Sequence, residues 1–266
     1  MASTPDRELT GRSGRIKHGR RLATRAFRAE TGEFLAEGPQ AVREALAVPG
    51  VVVEVFATSE ATDRHHDLAD AAGDRWHEVA DDVLAAVADA VHPQGVVARC
   101  RTVVGALADL PSSARFVVVC ADVRDPGNAG AVIRCADAAG ADAVVLAGDS
   151  VDPLNPKAVR STAGSLFHLP VIVHRDVAEV LLRLQEAGLQ VLAADGTGTT
   201  GLHDADLDLA APTAWLLGNE AWGLPPDTSA LADRVVAVPI YGRAESLNLA
   251  TAAAVCLYAS AAARHA

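Results

Sequence analysis

A β-branched run leads directly into a polar turn at Phe116-Val-Val-Val-Cys-Ala-Asp-Val-Arg-Asp-Pro-Gly-Asn-Ala-Gly130. The apolar part predicts a strand buried on both faces, as the strands of parallel sheets are. The Asp-Pro-Gly sequence ends that strand, and Asn128 is placed to cap the helix that follows, with Arg134 in its second turn. A buried strand followed at once by a helix is typical of an α/β sheet, so we expect one here.

Strands and helices continue to alternate from this point to the end of the sequence. Further strands are predicted at 143–146, 171–173, 190–194, 213–217 and 234–240, with helices such as 177–187 between them. The last predicted helix, at about 247–263, carries apolar residues on two opposite faces. Burial of both faces is what a subunit interface requires, so this helix predicts self-association.

A second region of alternating helices and strands lies between Phe34 and Arg101, with shorter spacing. It predicts a smaller α/β domain. The segment 102–115 has little pattern and contains Gly105 and Pro111, so we place the domain boundary there. The expected organisation is a basic N-terminal arm at 1–33, a small α/β domain at 34–105 and a larger α/β domain at 112–266.

The composition suits a folded chain, because half of the 266 residues are hydrophobic and 21% are charged. The four cysteines lie far apart with no Cys-x-x-Cys pair, so neither a disulfide framework nor a metal site is predicted. The first residues lack the apolar segment of a secretory leader, and the uncharged segment 246–263 is too rich in alanine and polar residues for a membrane helix. We expect a cytoplasmic protein with no membrane or metal partner.

Charge is distributed unevenly along the chain. The net charge is −11, which by itself disfavours a polyanionic partner. Residues 1–28, however, hold eight basic and two acidic side chains, a local charge of +6. An arm with Arg20, Arg21 and Arg25 would grip an RNA phosphate backbone, whereas a solvated, disordered leader would have the same composition. The charge pattern alone leaves both interpretations open.

One motif matches a dinucleotide-binding fingerprint, because Gly196-Thr-Gly-Thr-Thr-Gly201 follows a predicted strand. Glu220 follows it at about the sequence spacing of the acidic residue that binds the ribose in such proteins. A true fingerprint begins a helix whose N-terminus faces the pyrophosphate. Here the segment that follows, 202–210, is short, rich in aspartate and soon followed by Pro212. Its negative charge would also repel a phosphate. The sequence therefore favours a flexible turn over a nicotinamide dehydrogenase.

Polar residues gather at three points where predicted strands end, which is where α/β sheets bind their ligands. The segments are 125–140 with Asn128 and Arg134, 215–225 with Gly218 and Glu220, and 238–249 with Ser246 and Asn248. Helix capping would account for Asn128 and Ser246, and solvent exposure for Arg134. Asn248 inside a first helical turn and Glu220 between two tryptophans are not explained in that way.

Together the three segments resemble the signature motifs of the SpoU, or TrmH-like, branch of the SPOUT RNA methyltransferases. The second is similar to the family's Leu-Gly-Asn-Glu-x-x-Gly-Leu bend, with Ala221 where glycine is usual, and the third to its Ser-Leu-Asn turn. The N-terminal block resembles the family's substrate-binding domain through Phe34-Leu-Ala-Glu-Gly38 and His92-Pro-Gln-Gly95. The resemblance covers both predicted α/β domains.

The resemblance implies a fold, a cofactor and an assembly. The fold is a C-terminal trefoil-knotted SPOUT methyltransferase domain with a smaller N-terminal α/β RNA-binding domain. The cofactor is S-adenosyl-L-methionine, held by backbone groups that lie, by motif position, around Gly218, Ile240 and Leu249. The assembly is a homodimer whose active sites include residues of both chains.

The reaction that the resemblance implies is methyl transfer to a ribose 2′-hydroxyl of RNA. Arg134 matches the family's proposed base or activator. Because a guanidinium stays protonated at ordinary pH, we expect Arg134 to lower the pKa of the hydroxyl by its charge rather than to accept the proton. Asn128, Glu220, Ser246 and Asn248 would orient the ribose and the arginine.

The substrate expected from the family's N-terminal domain is large-subunit ribosomal RNA. Arg160 is a further candidate for a phosphate contact, and a surface salt bridge is the alternative for it. Two alternatives remain for the whole protein, a tRNA ribose methyltransferase and a non-catalytic RNA-binding protein of the same fold. The retained Arg134 and Glu220 argue against the second.

Overall fold

The structure, a computed structural model, describes residues 9–266 and divides into two compact units. The first unit comprises the chain up to Thr102 together with Leu154–Phe167, and the second comprises Val103–Pro153 and His168–Ala266. The strands, in chain order, are β1 (Glu33–Glu37), β2 (Val52–Ala57), β3 (Trp76–Glu78), β4 (Val96–Arg101), β5 (Val104–Gly105), β6 (Phe116–Ala121), β7 (Ala143–Ala147), β8 (Val171–His174), β9 (Gln190–Ala194), β10 (Thr200–Gly201), β11 (Thr213–Leu217) and β12 (Arg234–Ala237).

The helices follow the same numbering along the chain. They are α1 (Gly14–Arg21), α2 (Arg25–Thr31), α3 (Pro39–Ala47), α4 (Ser59–Arg64), α5 (His66–Ala72), α6 (Asp81–Val87), α7 (Pro126–Ala138), α8 (Pro156–Thr162), α9 (Val177–Glu186), α10 (Pro226–Ser229) and α11 (Leu249–Arg264). Short 3-10 turns lie at Gly73–Arg75, Leu107–Asp109 and Ser165–Phe167.

The first unit is built on a four-stranded sheet in the order β1-β4-β2-β3. Its β2–β3 pair is parallel and the other pairs are antiparallel. The described part of the predicted arm belongs to this unit, because α1 and α2 place Ile16, Leu22 and Phe27 in one apolar core with Phe56 and Val97. Residues 9–33 are therefore folded and include two helices with basic exposed side chains, and the rest of the predicted arm lies outside the described residues.

The segment Leu154–Phe167 also belongs to the first unit, whereas the sequence alone predicts it within the domain 112–266. Two contacts within the unit explain this. The ring of Phe167 stacks on that of Phe34 with their centroids 6.1 Å apart. The guanidinium of Arg160 on α8 pairs with the carboxylate of Glu37, at the end of β1.

The second unit contains an eight-stranded sheet in the order β10-β12-β9-β11-β6-β7-β8-β5, and every neighbouring pair is parallel. Its inner strands are buried on both faces, as their runs of apolar residues predict. The core includes Val119, Val145, Leu184 and Leu216. The α/β fold predicted from the sequence is confirmed for this unit.

The order of the strands places a reversal between β6 and β11. From β6 the chain moves outward through β7 and β8 on one side, and β9, β11 and β12 then fill the other side. The two strands lie in register, with Leu217 opposite Cys120, so their carboxyl ends open side by side. Ligands of parallel α/β sheets bind at such a reversal. The trefoil knot implied by the resemblance stays a prediction.

None of the helices in residues 9–266 is both long and apolar enough to cross a membrane. In the same part of the chain, His, Cys, Asp and Glu side chains form no group of three or more that could hold a metal ion.

Candidate active site

The carboxylate of Glu220 joins the loops that follow β6 and β11. Its Oε2 accepts a hydrogen bond from the backbone N–H of Arg124 at 3.2 Å, and its Oε1 accepts one from the N–H of Asp125 at 3.1 Å. Oε1 also accepts from Nδ2 of Asn128 at 3.2 Å. The carboxylate thus fixes both the turn before α7 and the first turn of that helix.

Asn128 hydrogen-bonds both to Glu220 and to Asn248, at the end of the loop before α11. An ionised carboxylate only accepts hydrogen bonds, so Asn128 turns its NH2 group toward Glu220 and its Oδ1 away from it. That Oδ1 accepts from Nδ2 of Asn248 at 3.0 Å. Glu220, Asn128 and Asn248 therefore form one chain of hydrogen bonds, here called the Glu-Asn-Asn chain, which links all three predicted site segments.

Two helix caps differ from the sequence prediction. Asp125, rather than Asn128, caps α7, with its Oδ1 accepting from the N–H of Asn128 at 2.8 Å. The helix begins earlier in the chain than predicted, with Pro126 at its first position, so Asn128 lies inside the first turn. Asn248, rather than Ser246, caps α11, and its Oδ1 accepts from the backbone N–H groups of residues 250 and 251.

Arg134 lies in the third turn of α7, one turn later than predicted, because the helix begins at Pro126. Its side chain is exposed, and among the described residues it makes no hydrogen bond or ion pair. The guanidinium is therefore available to an external anion. Ser246 is also exposed, in the segment before α11.

The bend after β11 is held by close backbone contacts. Asn219 and Gly223 exchange two backbone hydrogen bonds of 2.9 Å, and Nδ2 of Asn219 donates to the carbonyl of Asp122 at 2.6 Å. A Cβ on Gly218 would lie 2.5 Å from the carbonyl carbon of Gly223, closer than any real contact, so only glycine fits. The bend therefore depends on Gly218 and stays tied to the end of β6.

A cavity of about 830 Å³ opens beside this bend. Five of the predicted site residues line it: Gly218, Glu220, Ile240, Ser246 and Leu249. Arg134, Asn128 and Asn248 are not among its lining residues. The volume lies within the range of sites for small molecules and cofactors, about 300–1,000 Å³.

The thiols near the site are protonated. Complete burial raises the pKa of Cys120, at the end of β6, to about 12, and the charge of Glu220 acts in the same direction. Burial also raises the pKa of Cys135, and the neighbouring charge of Arg134 offsets this only in part. Neither cysteine supplies a thiolate nucleophile at neutral pH, so chemistry through a covalent cysteine intermediate is not favoured.

The predicted RNA-binding residues all lie in the first unit. Arg20, Arg21 and Arg25 are exposed on α1 and α2, and the Arg21 guanidinium also lies 3.7 Å from the centre of the Phe27 ring. Arg160 pairs with the carboxylates of Glu37 at 3.3 Å and Asp89 at 2.9 Å. The salt bridge, which is the alternative to a phosphate contact for this residue, is thus present.

Two features of the site escaped the sequence analysis. Asp122 has a left-handed backbone with φ of 56°, for which its sequence gives no signal, and its Oδ1 accepts from the N–H of Asp149 at 2.7 Å. Trp222 was noted only as a flank of Glu220. Its ring lines the cavity, is 54% exposed and lies 5.2 Å below the guanidinium of Arg124.

Comparison with known proteins identifies the family of the chain. Residues 115–258 match the model of the SpoU rRNA methylase family, and residues 14–98 match that of the MRM3-like substrate binding domain. The chain is 36% identical over 250 residues to the 23S rRNA (guanosine(2553)-2'-O)-methyltransferase RlmP of Bacillus subtilis (strain 168), covering 94% of this chain and 96% of that protein.

Two further similarities extend over nearly the whole chain. The first is to the 23S rRNA (uridine(2479)-2'-O)-methyltransferase of Streptomyces viridochromogenes, 33% identical over 266 residues, 95% of this chain and 91% of that protein. The second is to the crystal structure of the AdoMet-bound rRNA methyltransferase from Sinorhizobium meliloti, with a TM-score of 0.81, 32% identity and coverage of 96% and 97% of the two chains.

Proposed function

Because this chain belongs to the SpoU rRNA methylase family, we propose that it transfers a methyl group from S-adenosyl-L-methionine to a ribose 2′-hydroxyl of large-subunit ribosomal RNA. The observation that carries the proposal is the Glu-Asn-Asn chain, which joins three distant loops beside a cofactor-sized cavity. Relatives named for guanosine and for uridine are similarly close, so the target nucleotide stays open.

The cavity has the features that the methyl donor requires. Gly218 lines the cavity without a side chain, so a ligand there would meet backbone groups. Ile240 and Leu249 supply apolar lining for the adenosine part. We assign these three residues to donor binding. When bound, the donor supplies a methyl group already activated on a sulfonium.

Arg134 acts on the accepting hydroxyl in this proposal. Its guanidinium stays protonated and makes no ion pair with a described residue, so it is free to hold the phosphate next to the reacting ribose. Its charge stabilises the developing 2′-oxyanion, and the proton leaves to phosphate or water. Arg134 therefore works by electrostatics rather than as a base.

The Glu-Asn-Asn chain positions the reacting groups. Glu220 holds the turn before α7, Asn128 lies in the first turn of the helix that carries Arg134, and Asn248 fixes the start of α11. Ser246 lines the cavity and is exposed, so its hydroxyl is available to the ribose. In-line transfer depends on such alignment more than on proton transfer, because the donor is already activated.

RNA would be gripped by the exposed arginines of α1 and α2, Arg20, Arg21 and Arg25, through phosphate contacts that release counterions. Arg160 is a weaker candidate, because a phosphate there must compete with Glu37 and Asp89. Because the net charge of the chain is −11, the rest of its surface repels RNA, and phosphate contacts are confined to this basic surface. An rRNA-modifying enzyme works where ribosomes are, so the prediction of a cytoplasmic protein stands as part of this proposal.

The working form is proposed to be a homodimer that uses α11. One face of this helix, formed by Thr251, Val255, Tyr258 and Ala262, is exposed and carries no charge, although the other face is buried against the sheet and α7. An exposed helix face without charge suits a subunit contact, because no charge would have to be desolvated there.

Single-turnover methylation tests the proposal. We expect the wild-type protein to label the ribose of 23S rRNA extracted from cells lacking the gene, with labelled donor, and Arg134→Lys to slow the rate by about 100-fold or more because the forked guanidinium is lost. Arg183→Lys, on the exposed face of α9, is the matched control and should react at the wild-type rate.

Three results would contradict it. Labelling of tRNA instead of rRNA would favour the alternative tRNA methyltransferase. No labelling, together with no donor binding in a calorimetric titration, would favour a non-catalytic RNA-binding protein. An Arg134→Lys rate within threefold of wild type would remove the assigned role of Arg134.

A further inference from the structure

The two tryptophans that flank Glu220 differ in what they contact. Trp215 is fully buried on β11, and its indole N–H donates to Oγ of Ser260 at 2.9 Å, which holds α11 on the sheet. Trp222 has no such structural contact and keeps 54% of its surface exposed at the cavity. Core packing therefore explains the first tryptophan but not the second.

The exposed ring is paired with a cation. The guanidinium carbon of Arg124 lies 5.2 Å from the centre of the Trp222 ring, and Nη2 of Arg124 is 3.4 Å from Oδ2 of Asp149. More than half of the Arg124 side chain is itself exposed. Indole and guanidinium thus form an accessible aromatic and cationic surface, here called the Trp-Arg platform.

The Trp-Arg platform is attached to the catalytic loops at both ends. Arg124 donates its backbone N–H to Glu220, and Trp222 lies two residues after Glu220 in the same bend. Both members are therefore fixed relative to the carboxylate that begins the Glu-Asn-Asn chain. A group resting on the Trp-Arg platform would lie next to the groups that align the ribose.

We propose that the Trp-Arg platform stacks an unpaired nucleobase of the RNA substrate, at or next to the methylated nucleotide. The inference rests on the proposed function of this site. Proteins read single-stranded RNA by stacking splayed bases on aromatic rings and arginine planes, and a ribose must leave an A-form helix to be enclosed. Every base has a π face, and the guanidinium adds attraction for the attached phosphate. The Trp-Arg platform thus selects unpaired RNA and holds its ribose at Glu220.

Substitution of Trp222 tests this with donor-saturated methylation of 23S rRNA from cells lacking the gene. Trp222→Ala should raise the KM for RNA roughly 5- to 100-fold, the range for loss of one stacked base. Trp222→Phe, which keeps a π face, should stay within about threefold of wild type. Leu182→Ala removes a side chain of similar exposure, 56%, from α9 outside the cavity and should change nothing.

Parallel measurements decide between the possible occupants. RNA affinity from filter binding should fall with the Trp222→Ala change even where no methylation occurs, so this inference can survive a failure of the proposed chemistry. An unchanged KM and RNA affinity for Trp222→Ala would overturn it. So would an equal loss of donor affinity by calorimetry, which would assign the ring to the donor, or a loss of self-association in sedimentation, which would assign it to a second subunit.

Discussion

At the scale of single residues, the backbone of Gly218 determines the shape of the cavity wall. A Cβ at this position would lie within 2.7 Å of three backbone atoms of Gly223 and Leu224, and backbone cannot rotate away as a flexible side chain can. Gly196, on the same cavity wall, has open space at the corresponding point. Alanine substitutions of the two glycines therefore separate the effect of an added methyl group from the effect of forcing the bend open.

We predict that Gly218→Ala lowers the free energy of unfolding by about 1–3 kcal/mol and weakens donor binding tenfold or more, because the bend must open to accept the methyl group. Gly196→Ala should stay within about 0.5 kcal/mol of wild type. Urea unfolding and calorimetric titration of the donor measure both quantities. Equal donor affinity in the two variants would show that the bend does not form the donor site.

Asp122 adds a second constraint of this kind. Its left-handed backbone directs its carbonyl to Asn219 and its carboxylate to the N–H of Asp149. Aspartate tolerates this conformation better than most residues with a Cβ. This backbone conformation lowers the stability of the fold slightly. It occurs directly after β6, where the Asp122 carbonyl accepts a hydrogen bond from the bend after β11. The bend that carries Glu220 is thus tied to a residue that neither lines the cavity nor belongs to the Glu-Asn-Asn chain.

At the scale of secondary structure, Asn248 has two separable roles, as the cap of α11 and as a donor to Asn128. Asn248→Asp keeps the capping oxygen and adds a charge that the helix N-terminus favours, but it removes the NH2 group. We predict that this variant unfolds within about 0.5 kcal/mol of wild type and yet loses most of its methylation rate.

Asn248→Ala is the matched variant, and it should lose the methylation rate together with about 1 kcal/mol of stability, since the cap is absent as well. Urea unfolding and single-turnover rates separate the two effects. A wild-type rate for the Asn248→Asp variant would show that the link between α7 and α11 is not needed for positioning.

The elements themselves were largely predictable, whereas their exact starts were not. Parallel strands that are buried on both faces have continuous apolar runs, so the sequence predicts β6, β7 and β11, and two of the three predicted site segments follow β6 and β11. Which of two neighbouring polar residues caps a helix depends on the path of the loop before it. Local propensity therefore could not choose Asp125 over Asn128, nor Asn248 over Ser246.

The folding of the N-terminal segment was hidden by its composition. Eight basic residues in 1–28 obscure the few apolar ones, and Ile16 and Leu22 are buried only because the first unit offers them a core. The membership of α8 in the first unit depends on contacts such as Phe34 with Phe167, which are far apart in sequence. Such long-range packing leaves no periodic signal in the chain.

At the scale of the whole molecule, α11 belongs to both the proposed subunit contact and the proposed active site. This helix begins at Asn248, packs on α7, which carries Arg134, and presents its uncharged face outward. A second subunit on that face would restrict the movement of α11 and so of Asn248. The proposed dimer is therefore expected to support the alignment of the site as well as to enclose it.

Charge on the outward face of α11 tests this. We predict that Val255→Glu and Tyr258→Glu each convert a dimer into monomers in sedimentation equilibrium, because an unpaired carboxylate cannot be buried between subunits without several kcal/mol of desolvation cost. Methylation should fall with dimer content, while urea unfolding of the isolated chain changes little because both side chains are exposed. Leu182→Glu, on the exposed face of α9, should remain dimeric and active. A wild-type protein that sediments as a monomer would show that the active site is complete within one chain, and glutamate variants that stay dimeric would show that the subunit contact does not use α11.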